Sequence, residues 1–280
     1  MTLKICIEEA SLLGVRILRV KVKIDGIFLS CLFQKGTSET IVFVHGLGSS
    51  KEDFLEAFRR EEFQPFTLLA VDLVGFGDSD KPDVFSYTMK GQARILRKTI
   101  DRFGVGQFHL VAHSMGGIVG IELCEMMPDR VMSFVNAEGN LTAQDATMSR
   151  EIVKMSEEEF ARGGFERLKR DLEAEFERAG DQGGRRYLEA LNKATVRSVY
   201  QSSVSTVYES DHGDLLTRFT RLPFYKCYLY GEKNKDKFVT EKLLKQKEIP
   251  VFYISESGHA MIDDNPDEFY DRMLKTIRRL

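Results

Sequence analysis

The chain has 280 residues, 42% of them hydrophobic and twenty of them phenylalanine, enough to bury a large core and too apolar for a disordered tail. Its 40 basic and 43 acidic residues leave a net charge of −3, spread without blocks, so no electrostatic footprint points to nucleic acid or an anionic membrane. Small-molecule partners are the expectation.

In chain order, "MTLKICIEEASLLGVRILRV" breaks its apolar residues with Lys4, Glu8, Glu9 and Arg16, which argues against a secretory leader; no run approaches a membrane-spanning length. Cys6, Cys31, Cys124 and Cys227 lie far apart with no C-x-x-C spacing, so free or buried thiols and a reducing, cytoplasmic setting are expected. "ILRVKVKIDGIFLSCLF" alternates apolar and polar residues around Asp25-Gly26, a hairpin signal. Six apolar runs follow: "TIVFVHG", "FTLLAVD", "FHLVAHS", "VMSFVNAEG", "FYKCYLYG" and "IPVFYIS". With the hairpin they predict eight strands, mostly parallel and covered by helices. Helices are predicted over 51–60, 88–103, 115–127 and 266–280, the last opening at Asn265-Pro266 and ending in the basic "KTIRRL".

Residues 140–222 lack strand signals and carry charged helical segments punctuated by Gly163-Gly164 and Gly183-Gly184. Ser156 with Glu159 reads as a capping box, and Phe160, Phe165, Leu168, Leu172 and Phe176 form an apolar stripe read as packing. The expected organisation is a core of 1–139 and 223–280 with a helical cap, 140–222, inserted between the sixth and seventh predicted strands.

"HLVAHSMGG" at 109–117 places Ser114 between a strand and a helix, with small Ala112 and Gly116 two residues to either side. Small flanks let a strand turn sharply into a helix and present the hydroxyl on an elbow. A serine hydroxyl needs an imidazole to take its proton and a carboxylate to orient that imidazole. Taken alone, the pentapeptide fits a helix-capping serine equally well.

Three further stretches, "VFVHGLGSS" (42–50), "VDLVGFGDSDKP" (71–82) and "ISESGHAMIDDNPDEFY" (254–270), stand in order around the elbow. Together with "HSMGG" they resemble the α/β-hydrolase superfamily, in its serine-nucleophile branch with a helical cap. The resemblance implies an α/β-hydrolase fold, a doubly wound sheet of about eight strands with the nucleophile after the fifth. By resemblance His259 is the general base, and the N–H groups of Leu47 and Met115 form the oxyanion hole. His113, adjacent to the serine on an elbow, points away from it; His109 and His212 are read as structural, and His45 as support for the oxyanion loop.

The family's usual acid falls just after the seventh strand, where "YLYGEKNKDKF" carries Asn234, an amide that cannot stabilise an imidazolium as a carboxylate does. Two positions remain open. Glu138, in "VNAEGNL" after the sixth strand, matches the superfamily's other acid location and is favoured; Asp236 is the alternative, and Glu232 stands behind both. Asn140 is placed on the same sheet edge as Glu138, and Asp72 and Asp78 are read as loop-fixing acceptors.

Serine at the nucleophile position argues against dehalogenase and epoxide-hydrolase chemistry, which by resemblance uses aspartate there. No HExxH, paired Cys/His, EF-hand, G-x-G-x-x-G or Walker spacing points to a metal or nucleotide, so no cofactor is expected. The expected activity is hydrolysis of a small or medium, apolar carboxylic ester or related acyl substrate through an acyl-enzyme. The same site is compatible with carbon–carbon bond hydrolysis or cofactor-free perhydrolysis, and the fold also with a receptor-like binder of little turnover.

Overall fold

A computed structural model describes residues 8–12, 15–179 and 182–278. Cys6 and the last residues of "KTIRRL" lie outside the described residues. All eight strands read from the sequence form: β2 (Val15–Ile24), β3 (Ile27–Gln34), β4 (Thr40–Val44), β5 (Thr67–Val71), β6 (Phe108–His113), β7 (Val131–Ala137), β8 (Tyr225–Gly231) and β9 (Val251–Ile254). A ninth, β1 (Glu8–Leu12), pairs antiparallel with β2; its sequence, EEASL, carries no alternating apolar signal. Asp25 and Gly26, both with positive φ (49° and 89°), make the two-residue turn that joins β2 to β3, as Asp-Gly pairs do in type I′ hairpins.

The sheet order is β1-β2-β3-β5-β4-β6-β7-β8-β9, antiparallel through the β3–β5 pair and parallel from β5 onward. Along β4, Ile41 and Phe43 pack into one apolar layer while Val42 and Val44 pack into the other, so the parallel strands are buried on both faces. Helices α1 (Met89–Arg102) and α2 (Met115–Met126) contribute to the layer of Val42 and Val44; α11 (Pro266–Ile277) contributes Phe269, Tyr270 and Met273 to the other. From β4 the chain passes to β5 on one side and then returns to β6 on the other. The loops leaving β4 and β6 therefore diverge across a crevice at the sheet's carboxyl edge, where α/β sheets place their ligands.

Between β7 and β8 the chain runs through helices α3 (Thr147–Val153), α4 (Glu157–Glu159), α5 (Phe165–Ala179), α6 (Gln182–Lys193), α7 (Val196–His212) and α8 (Leu215–Arg221). The Ser156–Glu159 capping box forms in both directions, and a π-helical turn, Phe160–Gly164, links α4 to α5. Helices α9 (Val239–Gln246) and α10 (Met261–Asp264) follow β8 and β9.

The helix predicted over 51–60 is instead a series of 3-10 turns, Lys51–Phe54, Ala57–Arg59 and Glu61–Phe63. Its first residues are tethered from outside: Asp72 accepts from both the Lys51 N–H and its ammonium, each at 2.7 Å, and Asp53 accepts from Ser49 Oγ at 2.5 Å. Asp72 also accepts the Asp78 N–H at 2.8 Å, and Asp78 pairs with Lys51 and Lys193, the loop-fixing roles expected of both. Cys31, Cys124 and Cys227 are buried free thiols. Among the described residues no helix is long and apolar enough to cross a membrane.

Candidate active site

Ser114 closes β6 in a conformation that L-residues rarely adopt, φ 54° and ψ −128°, and α2 begins at the next residue. Such strain, of order 1–3 kcal/mol, persists only where the surroundings enforce it. Here the Ser114 N–H donates to the Ala137 carbonyl at 3.0 Å and its own carbonyl accepts from Gly117 at 2.8 Å. The elbow also presses α2 onto the β4 loop: a Cβ on Gly116 would lie 2.6 Å from the His45 carbonyl oxygen, which explains a glycine there. Ala112, on the other flank, is fully buried between β4 and β7, and its methyl is accommodated.

His259 stands in the turn after β9. Its Nε2 is 3.0 Å from Ser114 Oγ and its Nδ1 is 2.8 Å from Glu138 Oε2, the distances and chain order of a Ser–His–carboxylate relay. Two contacts fix the imidazole's backbone: the His259 carbonyl lies 2.8 Å from His113 Nε2, and the Gly258 N–H donates to Asp264 at 2.7 Å. The rings of His113 and His259 lie 4.8 Å apart. Burial and the neighbouring His259 push His113 down to about 3, so it stays neutral beside that ring. Burial opposes protonation of His259, but the hydrogen bond and charge of Glu138 outweigh it and hold the ring above its ordinary value.

Glu138 caps β7 with φ 41° and is buried. Besides His259 it accepts from the Gly231 N–H at 2.8 Å and from the Asn234 amide at 3.1 and 3.0 Å. A buried carboxylate is costly unless so partnered. The asparagine in "YGEKN" thus faces the acid that stands one strand away. Asp236 lies elsewhere, its backbone N–H bonded to Glu241 at 2.7 Å, and Glu232 accepts from the Glu256 N–H at 3.2 Å. Neither lines the cavity at Ser114.

That cavity, of about 430 Å³, is walled by the β4 loop, the elbow, the turn of His259 and the helices between β7 and β8. Leu47 and Met115 both line it. The Met115 N–H, first in α2, has no carbonyl within the helix to bond, as at any helix start. The buried His45 ring receives the Leu73 N–H at Nε2 (3.0 Å) and lies 2.8 Å through Nδ1 from the Gly46 carbonyl, bracing the loop that carries Leu47; burial holds it below its ordinary value. Tyr187 of α6 adds an unforeseen support by donating to the Leu47 carbonyl at 3.1 Å. Leu172 and Phe176, from the stripe read as packing, line the cavity as well. His109 is buried against Ser133 at 2.8 Å and His212 sits at the end of α7 beside Tyr208, both away from the site.

A family model described as alpha/beta hydrolase fold matches residues 39–267. The chain belongs to that family. Curated relatives match the chain only in part. A probable lysophospholipase, BODYGUARD 4 of Arabidopsis thaliana, is 39% identical over 88 residues, 31% of this chain and 21% of the relative. A haloalkane dehalogenase of Agrobacterium fabrum is 36% identical over 98 residues, 35% of this chain and 32% of the relative. This chain thus spans about a third or less of the length of such relatives. Solved structures align along nearly the whole chain at low identity: an N-acyl homoserine lactonase, AidH, with TM-score 0.74 and 17% identity, covering 94% of this chain and 97% of its own. A thermophilic esterase from Thermogutta terrifontis gives TM-score 0.74 and 21% identity, with 93% and 98% covered. They share the fold of this chain.

Proposed function

We propose that this protein is a serine hydrolase acting on carboxylic esters or related acyl substrates, with Ser114 as nucleophile, His259 as general base and Glu138 as the orienting acid. The observation that carries the reading is the continuous contact Ser114 Oγ–His259 Nε2 (3.0 Å) and His259 Nδ1–Glu138 (2.8 Å) at the floor of a cavity. His259 takes the Ser114 proton as Oγ bonds to the acyl carbon, and the N–H groups of Leu47 and Met115 hold the carbonyl oxygen as it becomes an oxyanion. The protonated ring then gives its proton to the leaving alcohol as the ester C–O bond breaks. Water repeats the sequence on the acyl-serine, its proton passing to His259 and back to Ser114, releasing the acid. Glu138 holds the Nδ1 proton throughout and stabilises the imidazolium. The helical segment 140–222 serves as a cap, its walls contributing Leu172, Phe176 and Tyr187 to substrate binding.

A panel of p-nitrophenyl esters of increasing acyl length, assayed on the wild type and Ser114→Ala, tests the reading. Turnover of at least one ester that disappears in Ser114→Ala supports it. Absence of Ser114-dependent turnover at every chain length points instead to a binder of the same fold.

A further inference from the structure

Buried polar groups almost always find hydrogen-bond partners within the protein. Four residues of the cavity wall do not follow this. Asn140, Ser149, Thr206 and Tyr230 are 4%, 5%, 1% and 1% exposed, and all four line the cavity. Among the described residues none of their side-chain amide or hydroxyl groups has a hydrogen-bond partner; those of Asn140, Ser149 and Tyr230 open on the cavity, whereas Thr206 Oγ1 is shut off from it, in a row with the equally unpartnered Ser202 and Ser210 of α7. Neighbours on the same wall are satisfied. Tyr228, two residues before Tyr230, donates to the Gly139 carbonyl at 2.9 Å, and Asp145 accepts from Leu141, Thr142 and Thr240. The unpartnered groups that open on the cavity also converge from separate elements: Asn140 follows β7, Tyr230 lies on the paired strand β8, and Ser149 comes from α3.

Their place relative to the reacting atoms follows from the chain. Asn140 is two residues past Glu138, and Tyr230 directly precedes Gly231, whose N–H holds Glu138. They therefore flank the imidazole side of Ser114, where the leaving alcohol must take its proton. An apolar patch of the wall lies at the oxyanion loop. Tyr187, which bonds the Leu47 carbonyl, has its ring centre 6.1 Å from that of Phe176, so the hydrocarbon surface adjoins the oxyanion loop and suits the acyl chain. Charge adds a constraint. Asp53, Glu138, Asp145, Glu175 and Asp263 line the cavity, while among the described residues no lysine or arginine does. Arg186 pairs with Asp263 from behind the wall, but carboxyls outnumber it, so an anionic substrate arm would meet net like charge.

Resting on the hydrolase reading above, we propose that the cavity selects esters of an apolar acyl chain with a neutral, hydroxyl-bearing alcohol, a polyol monoester, whose free hydroxyls bond Asn140, Ser149 and Tyr230. Such a site rejects the analogue lacking the hydroxyls, because its own groups are then left unpaired.

The test compares glycerol 1-monobutyrate, n-propyl butyrate and the butyrate ester of 3-hydroxypropanoate, measured by butyrate release, with p-nitrophenyl butyrate and Ser114→Ala run alongside. The wild type is expected to show kcat/KM for the glycerol ester about tenfold or more above the propyl ester, with the anionic ester lowest. Ser149→Ala with Tyr230→Phe should bring the glycerol-to-propyl ratio close to one, and Ser149→Thr in place of Ser149→Ala should restore part of it. Thermal melts register that each variant folds. A wild-type ratio of one or less, a ratio unmoved in the double variant, or a preferred anionic ester overturns the inference. If Ser114-dependent turnover of p-nitrophenyl butyrate persists in that case, the hydrolase reading stands; if no ester turns over through Ser114, both fall.

Discussion

The Glu138–His259 pair at the foot of the cavity and the polar wall around it treat their hydrogen-bonding groups in opposite ways. In the pair every oxygen of Glu138 is engaged, by Gly231, Asn234 and His259, and the backbone of His259 is pinned by His113 and Asp264. On the wall, Asn140, Ser149 and Tyr230 carry polar groups that find no hydrogen-bond partner among the described residues. Chemistry demands groups locked before the substrate arrives, since reorganisation at the moment of reaction raises the barrier. Recognition demands groups left unsatisfied until it does. The two regions should therefore answer mutation differently, through kcat at the pair and through KM and selectivity on the wall.

The largest effect is expected for Ser114→Ala, a loss of at least about 1000-fold in kcat on p-nitrophenyl butyrate. Glu138→Gln should follow, lowering kcat by about 100- to 10,000-fold, because an amide cannot stabilise the imidazolium. It should also displace the pH profile. The base works only when neutral, and Glu138 raises the His259 pKa, so wild-type kcat/KM should climb with pH through a midpoint above the ordinary histidine value of about 6.5. In Glu138→Gln that midpoint should fall; an unmoved midpoint would detach Glu138 from the base. Asn234→Ala, which strips two hydrogen bonds from Glu138, should reduce kcat about tenfold with little change in KM. Phe176→Ala, in the helices, should instead raise KM for long acyl chains a few-fold. Asp236→Asn should leave kcat within about twofold, since among the described residues its one hydrogen bond is made by its backbone N–H, to Glu241. An Asp236 variant more damaging than Glu138→Gln would break the comparison at its base.

The parts of this site visible in the sequence are those set by short-range geometry. "AHSMG" names its elbow because a serine at φ 54° needs small neighbours within two residues, and "NAEGN" places a carboxylate at a strand end. Asn234 was legible as an absence, an amide where an acid was expected, and its actual bond to Glu138 required knowing that β7 and β8 are adjacent. The 51–60 segment carried a helical pattern, yet Asp72, 21 residues away from Lys51, holds it in 3-10 turns. The helices between β7 and β8 announced themselves by period. Which of their residues face the cavity depends on long-range packing, so Phe176 read as core and Tyr187 as nothing in particular, although one lines the pocket and the other holds the Leu47 carbonyl.

The central claim is that a covalent acyl group passes through Ser114. Acid-quenching the protein during turnover of p-nitrophenyl butyrate and mapping its peptides by mass spectrometry addresses it directly. The account predicts butyrate on the peptide containing Ser114, enriched in His259→Gln if deacylation is slowed more than acylation, and absent in Ser114→Ala. Butyrate on another residue, or turnover that continues in Ser114→Ala, would contradict it.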